Sequence, residues 1–130
     1  MGRSALPGRR LRILVVERHP DMRLGLEVFL QSLGHWPQLV ETMTRAVALA
    51  VSCETFDLLL SDICLADGDG WDLPGLLERA GHRPLHAIAM TCVASLGDAE
   101  KSRASGFRSC LVKPGAPGEL EAALNAVAAL

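Results

Sequence analysis

The sequence predicts an α/β fold, a doubly wound parallel sheet of five strands with helices on both faces. Three observations carry this prediction. Short apolar runs rich in aliphatic residues alternate along the 130 residues with segments whose apolar positions recur at helical spacing. The connections are a few residues long, as expected for parallel strands joined by helical crossovers. A composition of 49% hydrophobic and 22% charged residues is that of an ordinary globular chain, long enough for one core and too short for two. No separate output module is expected within it.

Residues 1–10 hold Gly2, Pro7, Gly8 and three arginines without periodicity, and are expected to form a flexible lead-in to a domain over residues 11–130. Residues 11–16 are continuously apolar apart from Arg12, the signature of a strand buried on both faces. From Pro20, the apolar positions Met22, Leu26, Phe29, Leu30 and Leu33 predict a helix that Gly34 ends. A weaker strand over 37–40 leads to a helix over 43–53, with Thr42 as its cap and Ala46, Leu49 and Ala50 inward. Residues 57–61 with Ile63 form a third strand, followed by turn-forming residues 66–70 and a helix over 71–80 stopped by Gly81. A fourth strand is expected over 85–90, a fourth helix over 98–105 closed by Gly106, a fifth strand over 109–112 and a fifth helix over 119–128.

In a parallel α/β sheet, chemistry gathers at the carboxyl ends of the strands. The residues to inspect are therefore Glu17 and Arg18, Asp62, Thr91 and Cys92, and Lys113. Lys113 is one of only two lysines in an arginine-dominated chain.

Four ordered segments at these strand ends resemble the response-regulator receiver domain: Leu14-Val15-Val16-Glu17-Arg18-His19-Pro20-Asp21, Asp57 through Leu65 with Asp69-Gly70, Met90-Thr91, and Lys113-Pro114. The resemblance covers residues 11–130. It implies a flavodoxin-like fold with sheet order 2-1-3-4-5 and a role in two-component phosphorelay signalling, in the cytoplasm. By that likeness Asp62 is the phosphoacceptor, attacking the phosphorus of a phosphohistidine on a histidine kinase or phosphotransfer protein. A carboxylate can do so when nearby cations offset the repulsion between two anions. Thr91 and Lys113 correspond to the phosphoryl-contacting hydroxyl and lysine, and Pro114 to a cis-peptide position. Magnesium would be held by Glu17, Asp62 and the backbone carbonyl of Cys64. The only activity implied is self-phosphorylation and autodephosphorylation. The stretch from Ser61 to Trp71 looks most like receivers attached to hybrid histidine kinases. Downstream, an unidentified protein partner is expected.

The chain departs from its family at two places. Arg18 stands where receivers carry a second acid, so magnesium is expected to bind weakly or not at all, through lost ligation and added repulsion. Two outcomes follow: Arg18 swings away and slow phosphotransfer survives, or Arg18 pairs with Asp62 or Glu17 and the chain is a pseudo-receiver that binds partners without phosphorylation. At Cys110, receivers often carry an aromatic switch residue, and a thiol cannot supply that lever arm.

Other classes are disfavoured. A net charge of −2 gives no field for nucleic acid, and no apolar run approaches a membrane span. Cys53, Cys64, Cys92 and Cys110 lack paired spacing, although Cys64, Cys92 and Cys110 fall near one sheet edge and could form a thiol or soft-metal sensor. Haloacid-dehalogenase chemistry would need an aspartate at Cys64, and flavin binding would need a phosphate loop after Val16. Neither is present.

Overall fold

The computed structural model describes residues 9–52, 55–82, 86–91, 104–113 and 117–130. Five parallel strands form the main sheet: β1 (Arg12–Val16), β2 (Trp36–Val40), β3 (Leu58–Asp62), β6 (His86–Thr91) and β7 (Ser109–Val112). Two residue pairs, β4 (Cys64–Leu65) and β5 (Gly68–Asp69), make a small antiparallel hairpin beside it. The sheet order is β2-β1-β3-β6-β7, which is 2-1-3-4-5 once the hairpin is set aside. Helices α1 (Pro20–Ser32), α2 (Met43–Val51), α3 (Leu73–Arg79) and α4 (Pro117–Ala128) accompany it.

Strand alternation divides the core in two. Leu14, Val16, Leu59, Ala87 and Ala89 face one side, where Met43, Ala46 and Ala50 of α2, Leu73 and Leu77 of α3, Trp71 and Phe107 cover them. Ile13, Val15, Leu58, Leu60, Ile88 and Met90 face the other, covered by Leu26 and Leu30 of α1 and Leu124 and Val127 of α4. Both faces are therefore dry, as the unbroken apolar runs require.

The helix ends follow the local chemistry. Pro20 enters α1 where no intrahelical N–H is needed. Gly34 leaves it at φ 91°, its N–H donating to the Gln31 carbonyl and that of His35 to the Leu30 carbonyl. This is a Schellman closure, and Gly81 repeats it after α3 with bonds to Glu78 and Leu77. Thr42 caps α2 by accepting from the Arg45 N–H. A second cap comes from afar, because the Asp67 carboxylate in the hairpin turn accepts from the backbone N–H groups of Met43 and Thr44. Those bonds outweigh a small burial penalty and hold the Asp67 carboxyl below its usual range.

Several boundaries differ from the sequence expectation. The expected helix over 71–80 is a 3-10 turn, Gly70–Asp72, followed by α3, because Asp69 accepts from the Trp71 N–H and Pro74 can only enter a new helix. The last helix starts at Pro117 and the second ends at Val51. The loop expected over 66–70 contains paired residues, Gly68 opposite Leu65 and Asp69 opposite Cys64. Of the helix expected over 98–105, only Ala104 and Ser105, both helical, are among the described residues. Cys53, Leu85, Cys92 and Pro114 lie outside them. Arg9 and Arg10, from the segment expected to be flexible, make contacts: Arg9 pairs with Asp57 at 3.2 Å and Arg10 lies over the Trp36 ring.

At the opposite end of the sheet from the strand carboxyl ends, the buried His35 ring accepts the Leu11 N–H on Nδ1 at 3.0 Å. Burial holds this imidazole below its ordinary pKa of 6.5. Since the unfolded chain then binds the proton more readily, His35 contributes in full above about pH 6.5 and loses its contribution as pH falls. His35→Leu should cost about 1–3 kcal/mol at pH 7.5 by stranding a buried N–H. In urea titrations the gap to wild type should narrow as the pH is lowered toward 5. Glycines give a second contrast. A Cβ on Gly70 would overlap the Asp62 carbonyl oxygen and lie 2.8 Å from the Ile63 Cα, whereas one on Gly25, within α1, meets nothing. Gly70→Ala should destabilise by about 1–3 kcal/mol, and Gly25→Ala should stabilise by about 0.5–1 kcal/mol, measured by the same unfolding.

Candidate functional site

Three charged side chains meet at the carboxyl end of the sheet. Glu17 directly follows β1, is fully buried, and its N–H donates to the Val40 carbonyl, so backbone pairing with β2 holds it in line. Asp62 is the last residue of β3 and is 2% exposed. Lys113 directly follows β7, where its N–H donates to the Thr91 carbonyl at 2.6 Å. From there its ammonium donates to Glu17 Oε1 at 2.7 Å and to Asp62 Oδ2 at 3.2 Å.

The remaining oxygens are also engaged. Asp62 Oδ1 accepts from the Cys64 N–H at 3.2 Å, and Glu17 Oε2 accepts from the His19 N–H at 3.1 Å. His19 Nδ1 lies a further 3.1 Å contact from the same Glu17 oxygen. Burial pushes the Glu17 carboxyl up, but the Lys113 and His19 hydrogen bonds and the Lys113 charge together bring it below its usual value. Lys113 is the mirror case: burial pulls its pKa down, and the Glu17 bond with the charges of Glu17 and Asp62 more than restores it, leaving it raised. Two buried carboxylates thus face one ammonium, with one negative charge in excess.

Arg18 takes no part in this balance. Its side chain is exposed and, among the described residues, forms no ion pair with Glu17 or Asp62. Arg23 instead grips the backbone here, its Nη1 donating to the carbonyls of Glu17 and Arg18. The pairing foreseen as one outcome for Arg18 is made by Lys113.

Thr91 ends β6, is buried, and is joined to Lys113 through its own carbonyl. Cys110 lies on the edge strand β7 opposite Ala89, half-buried against the α2/α3 side of the core. Cys64 is exposed. Among the described residues no cysteine joins a metal-ligating cluster. One such cluster exists, Glu17, His19 and Asp62, whose donor atoms all lie within 4.8 Å of one another. His19 carried no ligand spacing in the sequence; only the bend after β1 turns its ring back toward Glu17. For magnesium, the two carboxylates supply the oxygen donors this ion favours. A third acidic side chain is missing at Arg18.

Comparison with known proteins agrees with this architecture. The response regulator receiver domain model matches residues 13–125. An uncharacterized 14.6 kDa protein encoded in the sodA1 3' region of Leptolyngbya boryana is 34% identical over 85% of each chain. The sensor protein EvgS of Escherichia coli K12 is 33% identical over 81% of this chain, which spans only 9% of that much longer protein. Among solved structures, the receiver domain of the sensor histidine kinase PA1611 from Pseudomonas aeruginosa PAO1, with magnesium coordinated in its active site cleft, is 28% identical. It superimposes with a TM-score of 0.79, covering 94% of this chain and all of that one. No helix among the described residues is long and apolar enough to cross a membrane. With the family's model matching nearly the whole sequence and its sheet order reproduced strand for strand, the chain belongs to the response regulator receiver domain family.

Proposed function

We propose that this chain is a two-component receiver that accepts a phosphoryl group at Asp62 from a histidine kinase or phosphotransfer protein. The observation that carries the reading is the buried Asp62 carboxylate at the end of β3, held 3.2 Å from the Lys113 ammonium. In the transfer, an Asp62 carboxylate oxygen forms the new bond to phosphorus, the P–N bond of the donor breaks, and its electron pair returns to the imidazole nitrogen. Lys113 is already placed to offset incoming negative charge and needs no reorganisation to do so. Thr91 supplies a hydroxyl at the end of the adjacent strand. Glu17 and Asp62 would hold magnesium, with the Cys64 carbonyl beside them; when bound, the ion contributes charge neutralisation of the phosphoryl oxygens.

The single negative excess in the pocket makes a cation welcome before phosphorylation. Arg18, exposed at the rim, opposes that cation without filling the site. The phosphotransfer reading therefore has more support than the pseudo-receiver reading, which needed Arg18 to occupy Asp62 or Glu17. A receiver of this kind acts through protein contacts, and likeness to the receiver of a sensor kinase supports a kinase as the upstream partner.

Incubation with acetyl phosphate or phosphoramidate, with and without magnesium, followed by intact mass, should give one phosphoryl adduct that Asp62→Asn abolishes. No adduct under any condition would sink the phosphoacceptor reading and leave a phosphorylation-independent interaction module. Arg18→Asp should raise the extent of magnesium-dependent labelling several-fold.

Lys113→Met tests the ion triad by itself. Removing the ammonium leaves two buried carboxylates facing each other, at a cost of about 3–5 kcal/mol. The depressed Glu17 pKa contributes stability above its unfolded value near 4.5 and loses it as pH falls through the folded value. Acidification should therefore shrink the difference in unfolding free energy between wild type and Lys113→Met.

A further inference from the structure

We propose that Glu17, His19 and Asp62 form a three-ligand site that binds a first-row transition ion accepting imidazole, such as zinc(II) or cobalt(II), more tightly than magnesium. The inference rests on the same end of the sheet as the phosphoacceptor reading but concerns which ion that end selects.

Donor chemistry carries the argument. Magnesium is a hard ion that favours oxygen, whereas imidazole nitrogen suits zinc, nickel, copper and iron. At the position after Glu17 the chain offers a guanidinium, which turns to solvent; at the next position it offers His19, whose ring turns inward onto Glu17 Oε2. The lost carboxylate is thus replaced by a nitrogen donor from the same loop, and the set changes from all-oxygen to two carboxylates and one imidazole.

One donor pair is already near ligand spacing. Bonds of about 2.0–2.2 Å in the tetrahedral arrangement that zinc favours put donors roughly 3.3–3.6 Å apart. His19 Nδ1 and Glu17 Oε2 are 3.1 Å apart, all three donor atoms lie within 4.8 Å of one another, and further closure toward Asp62 is open to His19, whose side chain is 54% exposed. Glu17 and Asp62 are fixed by burial, and Lys113 binds Glu17 Oε1 and Asp62 Oδ2, so the oxygen facing His19 is the other one, Oε2. Ligation through Nδ1 requires the tautomer with its proton on Nε2, and any proton shared between Nδ1 and Oε2 leaves on metal uptake.

Calorimetric titration of the whole chain with zinc(II), cobalt(II) and magnesium, without any phosphoryl donor, decides the matter. One equivalent of zinc or cobalt should bind, and more tightly than magnesium. Loss even of a ligand's outer partner typically costs about 10–100-fold in affinity, so His19→Ala should weaken zinc and cobalt by at least about tenfold while affecting magnesium far less. His19 makes no side-chain cap to α1, so this variant is expected to fold; circular dichroism verifies it. Asp62→Asn should weaken zinc similarly. Unchanged zinc affinity in either variant, magnesium binding as tight as zinc, or a thiolate-to-cobalt charge-transfer band showing cysteine ligation would each overturn the site. None of these results depends on phosphoryl transfer, so the acetyl phosphate outcome stands or falls separately.

Discussion

Lys113 is the tie on which the working end of the sheet depends. Its ammonium reaches Glu17, 96 residues away in sequence, and Asp62, 51 residues away, so it joins three strands that are far apart along the chain. Removing such charges from water costs several kcal/mol each, and the cost is offset only when the partners meet in good geometry. Two charge-assisted hydrogen bonds supply that geometry. They can form only if β1, β3 and β7 are in their places, since each charge sits at the end of a different strand. The triad is in this sense a check on the fold as well as a chemical site.

The rest of the architecture serves to fix those strand ends. Residues alternate between two dry cores, so slipping any central strand by one position would turn Leu14 or Leu59 out of one layer and into the other. Gly70 packs directly on the backbone of Asp62 and Ile63, and its N–H donates to the Ile63 carbonyl. The chain therefore folds back over the segment that carries the carboxylate, and only a residue without a Cβ allows the approach. From the same hairpin Asp67 reaches across to the start of α2. One short loop thus braces Asp62 from beneath and pins a helix that covers the core.

How much of this was legible in the sequence depended on the range of the interaction. The strands and their buried character could be read from runs such as Leu58-Leu59-Leu60, and Gly34 and Gly81 announced their helix ends, because these are local effects of pattern and backbone freedom. Glu17, Asp62 and Lys113 were found because each follows an apolar run, which places it at a strand end whatever the partner. Asp67 read as one more acid in a turn; its role as a helix cap spans 24 residues and has no local signature. His35 likewise has no ligand-like spacing in the sequence, and only the close pass of Leu11 makes its Nδ1 a needed acceptor. His19 stands two residues from Glu17, a spacing with no meaning on a helix or strand face. It became part of the site through a bend that the sequence does not encode in any periodic way.

Arg18 shows how a single substitution is read differently in sequence and in space. Counted as a formal charge beside Glu17, Asp62 and Lys113, it cancels the site to neutrality and argues for a silent domain. Placed in the structure, it is exposed, and screening by water makes its field far weaker than that of Lys113, which sits between two buried carboxylates. What the substitution removes is then a ligand more than a charge. The pocket keeps its negative excess and its carboxylate at the end of β3, and the nearest group able to replace the missing donor is the imidazole that the same loop folds inward. The departure from the family thus bears first on which ion the site would hold, and only through that ion on whether Asp62 would react.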